Sequence, residues 1–135
     1  MRHLLRAGLA LAMWMASICA PAAADGIVVI TNPSVTLKAD DVRDVFLGEK
    51  QIAGDIRLVP VDNASAQTAF LAKVIKLDQV KYTAAWIKKS FRDGLTPPAV
   101  KGSDAEVSDF VRREPGGVGY VTAVTQSGVK VVRLP

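Results

Sequence analysis

The polar residues best placed for chemistry cluster at two places where an apolar run gives way to a loop. Asp62-Asn63-Ala64-Ser65-Ala66-Gln67-Thr68 follows the run Ile56 to Val61 and precedes a helical pattern. A helix start presents unbonded backbone N–H groups and the positive end of the helix dipole, which together make an anion site. The hydroxyls of Ser65 and Thr68 and the amide of Asn63 add donors. The chemistry implied is oxyanion binding; plain helix capping by Asn63 or Ser65 is the alternative. Asp62 opposes an anion there unless it is paired or turned away. The second place is Thr31-Asn32-Pro33-Ser34, after the run Ile27 to Ile30. Open α/β sheets bind ligands beyond the carboxyl ends of their strands, so Thr31 and Ser34 are candidate contacts adjacent to the first group. An ordinary turn is the alternative.

Other chemistries are hard to build. The chain has 135 residues, one cysteine and one histidine, with a formal net charge of +4. Arg2 and Arg6 precede the apolar run Leu9 to Ile18, and Ala22-Ala23-Ala24 supplies small residues of the signal-peptidase kind. Cleavage after Ala24 is expected, with residues 1–24 a signal peptide and 25–135 one periplasmic domain. Losing Arg2 and Arg6 takes 17 basic residues to 15 against 13 acidic ones, a net +2. That balance is too weak to argue for nucleic acid. His3 and Cys19 leave with the leader. The remainder has no thiol nucleophile, imidazole base, disulfide or Cys/His metal site. The carboxylates of Asp40, Asp41, Asp44, Asp104, Glu106 and Asp109 fall in first turns or on polar faces. No catalytic residue, metal site or cofactor is therefore expected, and the chain is read as a non-enzyme. The cations from Lys73 to Arg92 read as a solvated helix face.

The elements that must position these residues alternate between strand and helix. Ile27 to Ile30 reads as a buried strand. Ala39 to Leu47 reads as a helix burying Val42, Val45 and Phe46, with Lys38 a poor N-cap and Gly48 its C′ residue. Gln51 to Asp55 reads as a loop, and Ile56 to Val61 as a second strand. Helices follow over about Ala66 to Lys76, burying Phe70, Leu71, Val74 and Ile75, and over Gln79 to Phe91, with Val80, Trp86, Ile87 and Phe91 inward. Pro97-Pro98 makes a rigid loop. Ser103 and Glu106 form a capping box before a helix with Val107, Phe110 and Val111 on one face. Gly116-Gly117-Val118-Gly119 follows that helix rather than opening one, so it fails the context for dinucleotide binding and reads as a tight turn with a positive-φ glycine. Tyr120-Val121 and Val129 to Leu134 supply the last strands. The pattern is α/β with a mainly parallel sheet flanked by helices.

Several ordered stretches resemble one family. Ile27 to Ser34, Leu37 to Gly48, Leu58 to Asp62, Trp86 to Phe91, Pro97-Pro98, Gly102-Ser103-Asp104 and Pro115 to Tyr120 are similar to the phosphate ABC transporter substrate-binding proteins. The last is close to that family's Pro-Gly-Ala-Ile-Gly-Tyr-Val run. The resemblance covers almost all of the chain after residue 24. It implies a type II periplasmic binding protein-like fold, here a single lobe of a two-lobed design with phosphate in the cleft. It also implies an ABC permease as partner. In the family a Ser-Gly-Thr stretch followed by Arg precedes a ligand-binding helix. Ser65 carries over, Thr68 does so with an offset, and the glycine and arginine have no counterpart in Ser65-Ala66-Gln67-Thr68. Two functions follow as expectations. One is a periplasmic phosphate or oxyanion binder using Asn63, Ser65, Thr68, Thr31 and Ser34, with a homodimer completing the half-site that one lobe offers. The other is an envelope protein-interaction module, docking a receptor or sensor, that kept the fold and lost the ligand.

Overall fold

A computed structural model of the protein describes residues 26–134; the expected leader lies outside the described residues. Strand β1 (Val28–Thr31) leads to helix α1 (Ala39–Phe46). A small hairpin follows, β2 (Ile52–Ala53) with β3 (Ile56–Arg57), then β4 (Val59–Asn63). A four-residue helix α2 (Gln67–Phe70) runs into a π-helical turn (Leu71–Ile75), and α3 (Gln79–Asp93) comes next. The chain ends with β5 (Ala99–Lys101), α4 (Asp104–Arg113), β6 (Gly117–Val121) and β7 (Lys130–Val132).

The five-stranded sheet has the order β5-β4-β6-β1-β7. It is the mainly parallel sheet expected, with one strand reversed: β5, β4, β6 and β7 run one way and β1 the other. β4 pairs parallel with β5 and β6, whereas β1 pairs antiparallel with β6 and β7. The parallel half arises from returns through α2, α3 and α4. The antiparallel half arises because β1 inserts between the two C-terminal strands, a non-local pairing.

Alternation along the strands splits the core in two. Val29, Val118 and Tyr120 face α1, the π turn and α3, where Phe46, Phe70, Tyr82 and Trp86 gather. Ile30, Val61 and Val121 face α4 through Val107 and Val111. Phe70 stacks on Tyr120 with centroids 3.8 Å apart, and Phe46 meets both rings edge-on.

Several expectations change in detail. The stretch Ile56 to Val61 is two strands, because Gly54 (φ +60°) turns a hairpin inside the expected loop. The α1 start is capped from within, as Asp41 Oδ2 accepts from the Lys38 N–H at 3.0 Å. The helix expected to reach Lys76 ends there, in a left-handed conformation (φ 63°). α3 is rotated from expectation: Tyr82, Trp86 and Lys89 are its buried residues, while Val80, Ile87 and Phe91 face outward. The glycines Gly116, Gly117 and Gly119 do not have positive φ. They are needed for close approach: a Cβ on Gly116 would lie 1.8 Å from the Arg57 carbonyl oxygen, and one on Gly119 2.5 Å from Val107 Cγ1.

Candidate functional site

The end of β4 carries the densest polar network in the described residues. Asp62 is buried. Its two carboxylate oxygens accept from the hydroxyls of Tyr82 (2.9 Å) and Tyr120 (2.8 Å). Burial pushes the Asp62 carboxyl above its ordinary value, with hydrogen bonds from Tyr120, Tyr82 and Gln67 opposing that rise. Burial and the adjacent Asp62 carboxylate likewise push both tyrosine hydroxyls upward, so they stay protonated donors. The requirement that Asp62 be paired or turned away is thus met by pairing.

Asn63 is fully buried and its amide is committed on every side. Its Nδ2 donates to Asp104 Oδ1 (2.8 Å) and to the Tyr120 carbonyl (3.0 Å). Its Oδ1 accepts from the Ser65 N–H (3.0 Å) and the Ser65 hydroxyl (2.6 Å). Asp104 also accepts from the Thr122 N–H (3.1 Å) and the Thr122 hydroxyl. Burial raises the Asp104 carboxyl, but the bonds from Thr122 and Asn63 prevail and hold it below the ordinary range. Asn63 therefore shapes the loop and has no amide hydrogen left for a ligand.

The groups that remain open lie one step further on. Ser65 and Thr68 are exposed. The first intrahelical bond of α2 is from Phe70 N–H to the Ala66 carbonyl at 3.0 Å. The N–H groups of Gln67, Thr68 and Ala69 have no acceptor among the described residues. Ala64 and Ala66 are held by the Lys101 and Asn63 carbonyls (2.8 and 3.0 Å), so the turn that offers these donors is fixed. The arrangement can offer an acceptor-rich group three backbone N–H groups and the Thr68 hydroxyl, the Ser65 hydroxyl hydrogen being already donated to Asn63 Oδ1. No arginine or lysine occurs between Ala64 and Ala69.

Thr31 and Ser34 do not join this group. β1 runs opposite to β4, so the carboxyl end of β1 lies beside the start of β4: Thr31 pairs with Val118, which pairs with Pro60. The two loops sit at opposite ends of the sheet, about 10 Å of strand apart. Thr31 is buried, and Ser34 lies within hydrogen-bond distance (2.7 Å) of both Asn32 Oδ1 and the Pro115 carbonyl. Asn32 Nδ2 donates to the carbonyls of Val111 and Arg112, both at 3.1 Å, at the α4 C-terminus. That end is rich in acceptors, so the loop caps a helix and closes the α4–β6 corner.

Sequence reasoning missed Asp104, Tyr120 and Thr122 as partners of this loop. Their only signal was that Asp104 opens α4 at a strand end; Tyr120 and Thr122 reach it through pairings across 57 and 18 residues.

No family model matches the chain, and no curated protein does. Among solved structures it is similar to a phosphate-bound protein from Clostridium perfringens, assigned as a phosphate ABC transporter substrate-binding protein. The identity is 18%, the TM-score 0.56, and the match covers 81% of this chain and 44% of that one. It is also similar to an ABC-type phosphate transport receptor from Vibrio cholerae, at 14% identity and a TM-score of 0.49, over 81% of this chain and 46% of that one. The chain spans less than half the length of either. Its fold is therefore that of a single lobe of a periplasmic binding protein, of the kind seen in phosphate ABC transporter substrate-binding proteins.

Proposed function

We propose that this chain is a non-catalytic periplasmic binding domain that takes an oxyanion, phosphate first, at the start of α2. One observation carries the reading: the N–H groups of Gln67, Thr68 and Ala69, successive at the start of α2 and beside the Thr68 hydroxyl, have no acceptor among the described residues, on a turn anchored by Asn63. Backbone amides at a helix start bind anions through partial charge and hydrogen bonds. The hydrogen bonds that Asp62 accepts from Tyr82 and Tyr120 weaken the repulsion that its position in sequence implied. The fold shared with a phosphate-bound protein makes that anion the first to try. Secretion by the leader 1–24 and service to an ABC permease belong to the same proposal.

Without an arginine at the site the bidentate contact that strengthens phosphate recognition is absent. Binding by one copy should be weak, with a Kd of about a millimolar, or some 4 kcal/mol. Calorimetric titration with inorganic phosphate tests this, with chloride at matched ionic strength as the blank. Saturable heat that disappears in the Ser65→Ala/Thr68→Ala double variant is the expected result. No heat and no thermal shift at 10 mM-scale phosphate (roughly ten times the expected Kd) would remove the oxyanion reading.

A second reading has its own support. The outward stripe of Val80, Ile87 and Phe91 on α3 is costly to leave in water. It favours an interaction module, docking an envelope receptor or sensor, that kept the fold and gave up the ligand. In-cell crosslinking from α3, followed by identification of the captured proteins, addresses it; recovery of the same nonspecific background as an unrelated periplasmic protein counts against it.

A further inference from the structure

The open edge of the sheet and the stripe on α3 form one surface. β5 is the outermost strand beside β4. Among the described residues seven large apolar side chains stand exposed, and three line this surface: Ile87 (54%), Phe91 (90%) and Val100 (59%). At 100° per residue, Val80, Ile87 and Phe91 fall within about 40° of one another on α3. Ile87, Phe91 and Val100 line one groove with Pro97 and Pro98.

The strand backbone is equally incomplete. The Lys101 carbonyl accepts from the Ala64 N–H at 2.8 Å, so the Lys101 backbone faces β4. Successive residues of a strand turn their N–H and C=O to opposite edges, so those of Val100 face outward. Pro98 has no N–H, and the Gly102 N–H is taken by Glu106 Oε2 at 2.7 Å. The open edge thus offers one complete donor–acceptor residue.

We propose that this surface is a two-fold interface with a second copy of the chain, in which the two β5 strands pair antiparallel about Val100. A two-fold through Val100 makes it a hydrogen-bonded pair with its own symmetry mate, each exchanging N–H and C=O with the other. The two sheets become one, and both α3 helices lie on the same face of it, with Ile87 and Phe91 bordering the paired Val100 side chains. The surface is self-complementary, as a closed two-fold contact must be. Pro98 and the engaged Gly102 end the ladder after that pair, so the contact stops at a dimer. Ile87, Phe91 and Val100 supply roughly 300–400 Å² per copy, against about 800 Å² for a stable interface. The dimer is accordingly weak, with a Kd of about 1–100 µM. This inference does not depend on the oxyanion reading.

A disulfide tests the register. In a hydrogen-bonded antiparallel pair the Cα atoms are about 5.5 Å apart, within disulfide span. In a Cys19→Ser background, Val100→Cys should give a covalent dimer with oxidised glutathione. Ile52→Cys, equally exposed at 59% but on the separate two-stranded sheet, should not. Sedimentation equilibrium of the wild type should show a concentration-dependent dimer, with Phe91→Glu raising its Kd by at least about tenfold and leaving circular dichroism unchanged. A monomer at all concentrations, crosslinking of Val100→Cys no better than of Ile52→Cys, or a dimer indifferent to Phe91→Glu would each overturn the proposal.

Discussion

Gly116→Ala gives the sharpest test of how the α4–β6 corner is built. Gly116 is buried, does not have positive φ, and approaches the strand backbone at β3–β4. The added Cβ would sit 1.8 Å from the Arg57 carbonyl oxygen and 2.9 Å from its carbon. Even a close C···O contact is about 3.3 Å, so the two backbones must separate by about 1.5 Å. The Val59 N–H to Gly116 carbonyl bond, now 2.8 Å, would then stretch beyond about 4 Å and be lost. A buried acceptor left without its donor costs about 1–3 kcal/mol, and the opened packing about 1–3 kcal/mol more. The expected total is about 2–6 kcal/mol, a large part of the roughly 5–15 kcal/mol that holds a domain together. Gly54→Ala is the natural contrast. Gly54 has φ +60°, but a Cβ there meets nothing within 4 Å. That substitution should cost only about 1 kcal/mol of backbone strain. Urea unfolding of both variants, read as midpoint and slope, measures the difference. Costs within about 0.5 kcal/mol of each other, or in reversed order, would refute the claim that contact rather than φ selects glycine here.

Three further outcomes are expected. Asp62 has a folded carboxyl value raised above its unfolded one, so the folded state binds the extra proton, and Asp62 costs stability as pH rises through that window. Asp62→Asn should flatten the loss of urea midpoint above the ordinary carboxylate range; an unchanged difference curve between wild type and variant across pH 3–8 (roughly one unit below the unfolded carboxylate value and above) would show that Asp62 does not titrate there. Asp104, held low, works in the opposite sense: its stabilisation is present above the unfolded value and is lost as pH falls through the folded one. Asp104→Asn should therefore weaken the wild type's acid-limb slope in the same denaturation series. Asn63→Ala removes four hydrogen bonds around a buried amide, for a cost of about 3–5 kcal/mol by urea unfolding, whereas Ser65→Ala should cost about 1 kcal/mol or less because its hydroxyl is exposed.

Local signals in the sequence were read well where a single element determines the outcome. The α4 start is one: Ser103 accepts from Glu106 N–H at 3.3 Å and Glu106 Oε2 bonds the Gly102 N–H, a displaced capping box. Gly48 after α1 is another, with φ 72°. Long-range choices were not legible. α3 has aromatic or apolar residues at Tyr82 and Trp86 on one side and at Val80, Ile87 and Phe91 on another, so periodicity alone could not say which side packs. Trp86 decides it, donating its indole N–H to the Phe46 carbonyl at 3.0 Å, and Lys89 follows it inward to an ion pair with Glu49 at 2.7 Å. β5 is three residues after a Pro-Pro pair and has no pattern of its own. Thr31 and Ser34 were placed with Asn63 because both loops follow apolar strands; only the antiparallel insertion of β1 puts them at the other end.

The arrangement at the end of β4 follows from how its two carboxylates are spent. Asp62 and Asp104 flank Asn63, and both would repel an anion if they faced the α2 start. Asp62 is absorbed by the hydroxyls of Tyr82 and Tyr120, and Tyr120 is itself fixed by stacking on Phe70 within the core. Asp104 is absorbed by Asn63 and Thr122. Asn63 then turns its remaining oxygen to Ser65 and draws the chain into the bend that opens α2. Every strong acceptor in the neighbourhood is thereby occupied by a protein donor. The backbone N–H groups of Gln67, Thr68 and Ala69 are left with none. A turn this heavily anchored, ending on three open donors, is rigid enough to bind an acceptor without paying again for its own ordering. Capping alone does not require such anchorage, since α2 has no side-chain cap bond at all. On the proposed oxyanion reading, the open donors account for the burial of Asp62 and the ordering of the loop, which the stability of a four-residue helix does not require.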